Sequence, residues 1–104
     1  MVYLVYGSPC SGKTTYVKEH AKRGDIISDL DTIYGAITSD DEHDADLYTI
    51  KVAKELDAVL RETIRERRGK WKNAYVTSIA NTKEKLKADM EIVNADECIY
   101  IDTP

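Results

Sequence analysis

The sequence has 104 residues, of which 42% are hydrophobic and 33% charged, and its formal net charge is -4. These values are typical of one small water-soluble domain, and no apolar run approaches the roughly 20 residues of a membrane span. The acidic balance disfavours nonspecific binding to nucleic acid or to an anionic membrane. Cys10 and Cys98 are too far apart to form a metal-binding or redox motif, so we expect a reducing cytoplasm as the setting.

Strands and helices alternate along the whole chain. The predicted strands are short apolar runs, and the predicted helices repeat apolar residues three and four positions apart, as Ala53, Leu56 and Leu60 do. Gly24 and Gly69 follow two of the helices, where a residue of left-handed conformation typically ends a helix. The predicted elements in chain order are a strand at 2–6, a helix at 13–23, a strand at 25–28, a helix at 31–37, a helix at 46–68, a strand at 74–78, a helix capped by Asn81, and a strand at 98–101.

A glycine-rich segment separates the first strand from the first helix. Residues 7–14, GSPCSGKT, fit the pattern G-x-x-x-x-G-K-[ST], which cradles nucleotide phosphates. The glycines let successive backbone N–H groups point at phosphate oxygens, and the helix that follows adds the partial positive charge of its N-terminus. Lys13 is then placed to reach the β- and γ-phosphates, and the hydroxyl of Thr14 to bind Mg²⁺. The candidate nucleotide-binding residues are Gly7, Ser8, Pro9, Cys10, Ser11, Gly12, Lys13, Thr14 and Thr15.

The alternation and the loop together predict the fold. Strands that alternate with helices form a parallel sheet with right-handed crossovers and helices on both faces. We predict a single P-loop domain over residues 1–104, with a three-layer α/β/α architecture and four parallel strands in the order 2-3-1-4.

With this loop, the sequence resembles the small P-loop kinases, in particular the 5′-kinase domain of polynucleotide kinase and related small P-loop proteins of bacteriophages. "DIISDLDTIYGAI" is similar to the second strand of that group, "AYVTSIAN" to the third strand with its Ser-Asp-x-Asn ending, and "CIYIDTP" to the strand before the lid. The resemblance implies a P-loop kinase or ATPase in the cytoplasm, or in the host cytoplasm if the protein is viral. It implies transfer of the γ-phosphoryl group of ATP, with Mg²⁺, to a hydroxyl acceptor.

Two aspartates follow the predicted second strand, at the sheet edge where ligands of open α/β folds bind. In the resembled family the aspartate after this strand is the general base, and either Asp29 or Asp31 matches it. A carboxylate there can accept the proton of the attacking hydroxyl or bind Mg²⁺ through water. We therefore predict Lys13, Asp29 and Asp31 as catalytic residues, Thr14 and Asp29 on the metal side, and Asp31 as helix cap or base.

Two departures from the resembled pattern keep another function open. Ile79 stands where the third strand of the family is followed by an acid, although Ser78 and Asn81 are retained. The lid arginines that follow the last strand in these kinases have no counterpart before Pro104, so we expect either the N-terminal part of a longer kinase-like protein or a minimal domain without a lid. The alternative function is an ATP-binding regulatory or interaction module with little or no catalysis.

Three further features bear on the acceptor. The basic segment "RERRGKWK", residues 65–72, leads into the third strand, so we expect it at the amino end of the sheet, away from the phosphates. The acidic residues 39–46, around His43, should lie on the active edge and disfavour a polyanion such as nucleic acid, so that a neutral or cationic acceptor fits better. Arg61 and Arg65 lie one helical turn apart and are candidates to hold the acceptor.

Overall fold

The computed structural model describes residues 1–7, 12–39, 46–80 and 82–101 of the chain. Strands and helices alternate as the sequence predicts, with two helices between the second and third strands. In chain order the elements are β1 (Val2–Tyr6), α1 (Lys13–His20), β2 (Ile26–Ser28), α2 (Leu30–Ile37), α3 (Leu47–Arg65), β3 (Ala74–Ser78), α4 (Lys83–Val93) and β4 (Glu97–Tyr100).

The four strands form one parallel sheet in the order β2-β3-β1-β4, which confirms the predicted topology. In the centre of the sheet, β1 pairs with β3, and the last pair of this register is Tyr6 opposite Ser78. On the outer side of β3, Ser28 at the end of β2 lies opposite Val76. The segments that follow β1, β2 and β3 therefore leave the sheet side by side, at the edge where ligands of parallel α/β folds bind.

Helices cover both faces of the sheet, as predicted. Val2, Leu4, Ala74 and Val76 alternate along β1 and β3 and form the main core with α3 and α4, which contribute Ile64 and Val93 among others. The intervening strand residues point to the other face, where α1 packs against β1 and β3. All six of these core residues are fully buried. No helix in the described ranges is long and apolar enough to cross a membrane.

The end of α3 differs from the predicted glycine cap. Arg67, with a left-handed φ of 55°, occupies the C′ position, and Gly69, whose φ of 101° is also positive, lies two residues further on. The N–H groups of Arg67 and Arg68 donate to the carbonyls of Ile64 and Thr63, respectively. This is the hydrogen-bond pattern of a Schellman motif. The guanidinium of Arg67 also donates to the carbonyls of Ile64, Val93 and Asn94, and these bonds hold a non-glycine residue in that conformation.

Two other helix ends are shifted from their predicted positions. The first helix, α1, ends at His20 and not at residue 23, because the backbone N–H of Lys22 donates to the Asp25 carboxylate in a turn that closes before β2. The N-cap of α4 is Thr82, whose hydroxyl accepts a hydrogen bond from the N–H of Lys85. The predicted cap, Asn81, lies outside the described residues.

Candidate functional site

A cavity of about 770 Å³ lies at the carboxyl edge of the sheet. Its volume is within the usual range for small-molecule sites. One part of its wall is the start of α1, another is the turn from β2 into α2, and the rest comes from the end of β3 and from the facing sides of α3 and α4. The lining residues are Gly12, Lys13, Thr14, Thr15, Asp29, Leu30, Asp31, Asp57, Arg61, Thr77, Ser78, Ile79 and Asp89.

The start of α1 places two predicted phosphate-site residues in this wall. Gly12 immediately precedes the helix with a φ of 93°, a left-handed conformation that a residue with a Cβ rarely adopts. Lys13 is the first helical residue, and its side chain is buried with Nζ donating to the carbonyl of Gly7 at 3.1 Å. The first residue of the loop pattern and its lysine are therefore in direct contact.

Asp29 is held by hydroxyl and backbone donors from three elements. Its Oδ1 accepts a hydrogen bond from Thr77 of β3 at 2.7 Å, and its Oδ2 accepts from both the N–H and the hydroxyl of Thr32, at 3.1 and 2.6 Å. The hydroxyl of Thr14 lies 3.1 Å from Oδ2 and 3.3 Å from Oδ1. Asp29 is thus the N-cap of α2 and at the same time joins the start of α1 to the sheet edge. The prediction of Asp31 as the helix cap was wrong, because Asp31 lies inside the first turn of α2.

The contact between Thr14 and Asp29 has the chemistry that Mg²⁺ requires. Mg²⁺ prefers oxygen ligands and is commonly held by one or two carboxylates together with the phosphates of a substrate, without a full protein cage. A hydroxyl and a carboxylate lie side by side here, next to the loop that the sequence assigns to phosphate binding. No group of three or more His, Cys, Asp or Glu side chains with metal-binding geometry occurs in the described part of the chain. The pair therefore fits an ion that also binds the phosphates of a nucleotide.

An ion pair from α3 supports the wall beside Asp29. Asp57 is buried and accepts hydrogen bonds from the hydroxyl of Ser28 and from Nε of Arg61, the latter at 3.0 Å. Nη2 of Arg61 also donates to the carbonyl of Thr77 at 3.0 Å. These bonds tie α3 to the ends of both β2 and β3, and they bring one arginine into the cavity wall.

The opposite part of the wall carries a carboxylate from α4. The hydroxyl of Ser78, the last residue of β3, donates to Oδ2 of Asp89 and accepts a hydrogen bond from the N–H of Ala80. Ile79, between them, is 68% exposed. An exposed apolar side chain thus stands where the resembled kinases carry an acid after this strand. A different carboxylate, that of Asp89, is bound by Ser78, the residue before Ile79.

The other residues singled out in the sequence are placed as follows. Asp31 lines the cavity from the exposed first turn of α2, and Thr15 is an exposed residue of the wall. Arg61 enters the wall, whereas Arg65 donates to the carbonyl of Glu91 and is not part of it. Positions 8–11 of the loop and His43 with its acidic neighbours at 40–45 lie outside the described residues, as do positions 102–104.

Sequence analysis missed Asp57 and Asp89. Each occupies a position on an apolar helical face: Asp57 falls in phase with Ala53 and Ile64 of α3, and Asp89 falls in phase with Leu86 and Val93 of α4. A carboxylate within an apolar stripe is the signal that would have found them, because a charge is rarely buried without a specific partner.

A comparison with family models connects the cavity to known proteins. The model described as an AAA domain matches residues 2–104, which is nearly the whole chain. The chain belongs to this AAA domain family. The membership and the parallel sheet in 2-3-1-4 order identify a P-loop nucleotide-binding domain of the kinase-like or ATPase type. No curated protein matches the sequence.

Proposed function

We propose that this AAA domain is a kinase-type phosphotransferase, which moves the γ-phosphoryl group of Mg·ATP to a hydroxyl acceptor. The observation that carries the proposal is the contact of Thr14 with Asp29 beside the buried Lys13, in one cavity at the carboxyl edge of the sheet. This arrangement combines a cation for phosphate, oxygen ligands for Mg²⁺ and space for a second substrate. Phosphoryl transfer depends mainly on such positioning and charge stabilisation.

Each group of residues in the site has a distinct role in the proposed reaction. In the proposal, the backbone N–H groups of residues 7–15 other than Pro9 hold the triphosphate, and Lys13 stabilises the charge on the transferring group. Thr14 and Asp29 would hold Mg²⁺, which supplies Lewis-acid stabilisation of phosphate charge when bound. Asp29 already accepts hydrogen bonds from several donors and is 4% exposed. In the proposal it therefore acts on the Mg²⁺ side of the site and does not contact the acceptor. Of the two aspartates after β2, Asp31 is the one that an acceptor can reach.

Ile79 favours a second candidate function. An exposed isoleucine beside the cavity can neither bind a metal-linked water nor accept a proton, and it offers an apolar contact to another molecule. The alternative is therefore an ATP-binding module that changes its affinity for a partner and hydrolyses nucleotide slowly or not at all.

Transfer of label from [γ-³²P]ATP separates the two functions. We would incubate the protein with Mg²⁺ and a panel of nucleosides, nucleoside monophosphates, 5′-hydroxyl oligonucleotides, amino alcohols and polyols, and compare it with Lys13→Ala. The kinase proposal predicts label on one class of acceptor, lost in Lys13→Ala and retained in the exposed control Lys18→Ala from the same helix. ATP binding without transfer to any acceptor would support the module instead.

A further inference from the structure

We infer that Asp89 of α4 is the carboxylate that receives the proton of the acceptor hydroxyl. This inference rests on the proposed function. It assigns the role of general base to Asp89 instead of to Asp29 or Asp31. Asp89 lines the same cavity as Lys13 and Thr14, but from the opposite wall, between α3 and α4. A base on that wall can contact an acceptor while the metal-side residues hold the nucleotide.

The position of Asp89 is fixed relative to the phosphate site. Ser78 donates its hydroxyl hydrogen to Oδ2 of Asp89, and Ser78 pairs in register with Tyr6, the residue directly before the phosphate-binding loop. The preceding residue of β3, Thr77, donates to Asp29 on the metal side. Two successive residues of one strand therefore hold two carboxylates, one on each side of the cavity.

Asp89 has the capacity to accept a proton. Its hydrogen bond with Ser78 uses Oδ2, and no described residue donates to Oδ1. Asp29 differs, because donors hold both of its oxygens. Asp57 also differs, since the hydroxyl of Ser28 and the guanidinium of Arg61 occupy its two oxygens. Among these three carboxylates of the wall, Asp89 is the one with an available oxygen and a fixed orientation.

The residues that line the cavity indicate the chemical class of the acceptor. Asp57 and Arg61 neutralise one another, and Asp89 adds a negative charge to the wall formed by α4 and the end of β3. Ile79 beside Ser78, and Leu30 at the start of α2, add apolar surface to the cavity. A small neutral or cationic hydroxyl compound fits these groups, whereas a phosphorylated acceptor would meet repulsion.

The proposed step balances with the groups already named. The acceptor oxygen forms a bond to Pγ of ATP as the bond from Pγ to the β–γ bridging oxygen breaks, and ADP leaves with that electron pair. The hydroxyl proton passes to Oδ1 of Asp89 and later returns to solvent. No oxidant, reductant or further co-reactant is required.

The test is the turnover of [γ-³²P]ATP, with water and the acceptor panel as probes, in Asp89→Asn and in the control Glu91→Gln. Asparagine preserves the shape of the side chain and can still accept from Ser78, but it cannot take up a proton. General-base contributions are typically 10²- to 10⁴-fold. We expect turnover to fall about 100-fold in Asp89→Asn, with the Kd for Mg·ATP and the melting temperature unchanged, and to stay at the wild-type level in Glu91→Gln, an exposed position of the same helix.

Three other results would overturn the inference. Wild-type turnover in Asp89→Asn would show that phosphoryl transfer does not need Asp89. A loss of turnover in Asp31→Asn alone, measured in parallel, would show the same. A fall in turnover that matches a weaker Kd for Mg·ATP would make Asp89 a structural residue only. If the wild-type protein binds Mg·ATP but transfers nothing to water or to any acceptor, the proposed kinase function fails together with the base. Ser78→Ala supplies a second variant, and we expect its loss of turnover to be non-additive with that of Asp89→Asn, because both act through one hydrogen bond.

Discussion

Replacing Asp57 with alanine should destabilise the domain strongly. Asp57 is a buried charged residue of α3, two turns before the end of the helix. Its carboxylate accepts from the hydroxyl of Ser28, which is completely buried, and from Nε of Arg61, whose side chain is 22% exposed. Alanine would remove both acceptors together. Arg61 would keep its bond to the carbonyl of Thr77, so its charge would remain in the cavity wall with one partner lost.

The size of the effect follows from the groups left without an acceptor. Breaking a buried ion pair by removing one partner costs roughly 3–5 kcal/mol, and an unsatisfied buried hydroxyl alone costs about 1–3 kcal/mol. Because Arg61 is partly exposed, water can replace some of what it loses, and the lower end of the range applies. We expect the free energy of unfolding to fall by about 3 kcal/mol, which for a domain of this size lowers Tm by roughly 12–24 °C.

Urea denaturation followed by circular dichroism measures this change, with the m-value checked for constancy between variants. Glu62→Ala is the matched control, because Glu62 carries an exposed carboxylate on the same helix. Its Oε1 lies 3.9 Å from Nη2 of Arg68. Surface pairs of this kind contribute about 0–1 kcal/mol. If Asp57→Ala loses no more than Glu62→Ala, the hydrogen bonds that join α3 to β2 and β3 do not stabilise the fold, and our account of the cavity wall is wrong.

Three further predictions concern residues outside the cavity. Backbone and side-chain donors around Asp25, first the N–H of Lys22, lower the pKa of its carboxyl group. The stability that Asp25 contributes is therefore present above its unfolded pKa and lost as the pH falls through the folded pKa, so Asp25→Asn should weaken the loss of stability in acid titrations monitored by urea unfolding. Thr82→Ala should cost about 1 kcal/mol in the same unfolding assay, because it removes the N-cap of α4, and Thr82→Ser should restore it. Partial burial raises the pKa of the Cys98 thiol, so alkylation by iodoacetamide at neutral pH, followed by peptide mass spectrometry, should be slower at Cys98 in the folded protein than in urea. Equal rates would contradict its half-buried position.

Most of the fold was predictable because its signals are local. The apolar runs of β1 and β3, the helical periodicity of α3 and the loop pattern between β1 and α1 each need only a few neighbouring residues to be recognised. The alternation of elements predicted a parallel sheet with right-handed crossovers, whereas the strand order came with the assignment to a P-loop domain. The helix ends were less predictable, since Arg67 adopts a left-handed conformation at the end of α3, where its guanidinium donates to the distant carbonyls of Val93 and Asn94.

The site was predictable only where one segment supplies it. Lys13 and Thr14 belong to a single motif, and the aspartates after β2 follow from the edge at which a strand ends. Asp57 and Asp89 could not be assigned in this way, because their partners, Ser28 and Ser78, are 29 and 11 residues away in the sequence and meet them only in the folded chain.

The most direct test of the central claim is calorimetric titration of Mg·ATP into the wild-type protein and into Lys13→Ala. Charge-assisted hydrogen bonds from a buried lysine to phosphate are worth about 1.5–3 kcal/mol each. The account predicts saturable one-to-one binding by the wild-type protein, Kd weakened about 100-fold in Lys13→Ala, and an unchanged Kd in the exposed control Lys18→Ala. Equal affinity in the wild type and in Lys13→Ala, or no binding by either, would contradict a nucleotide site built around this loop.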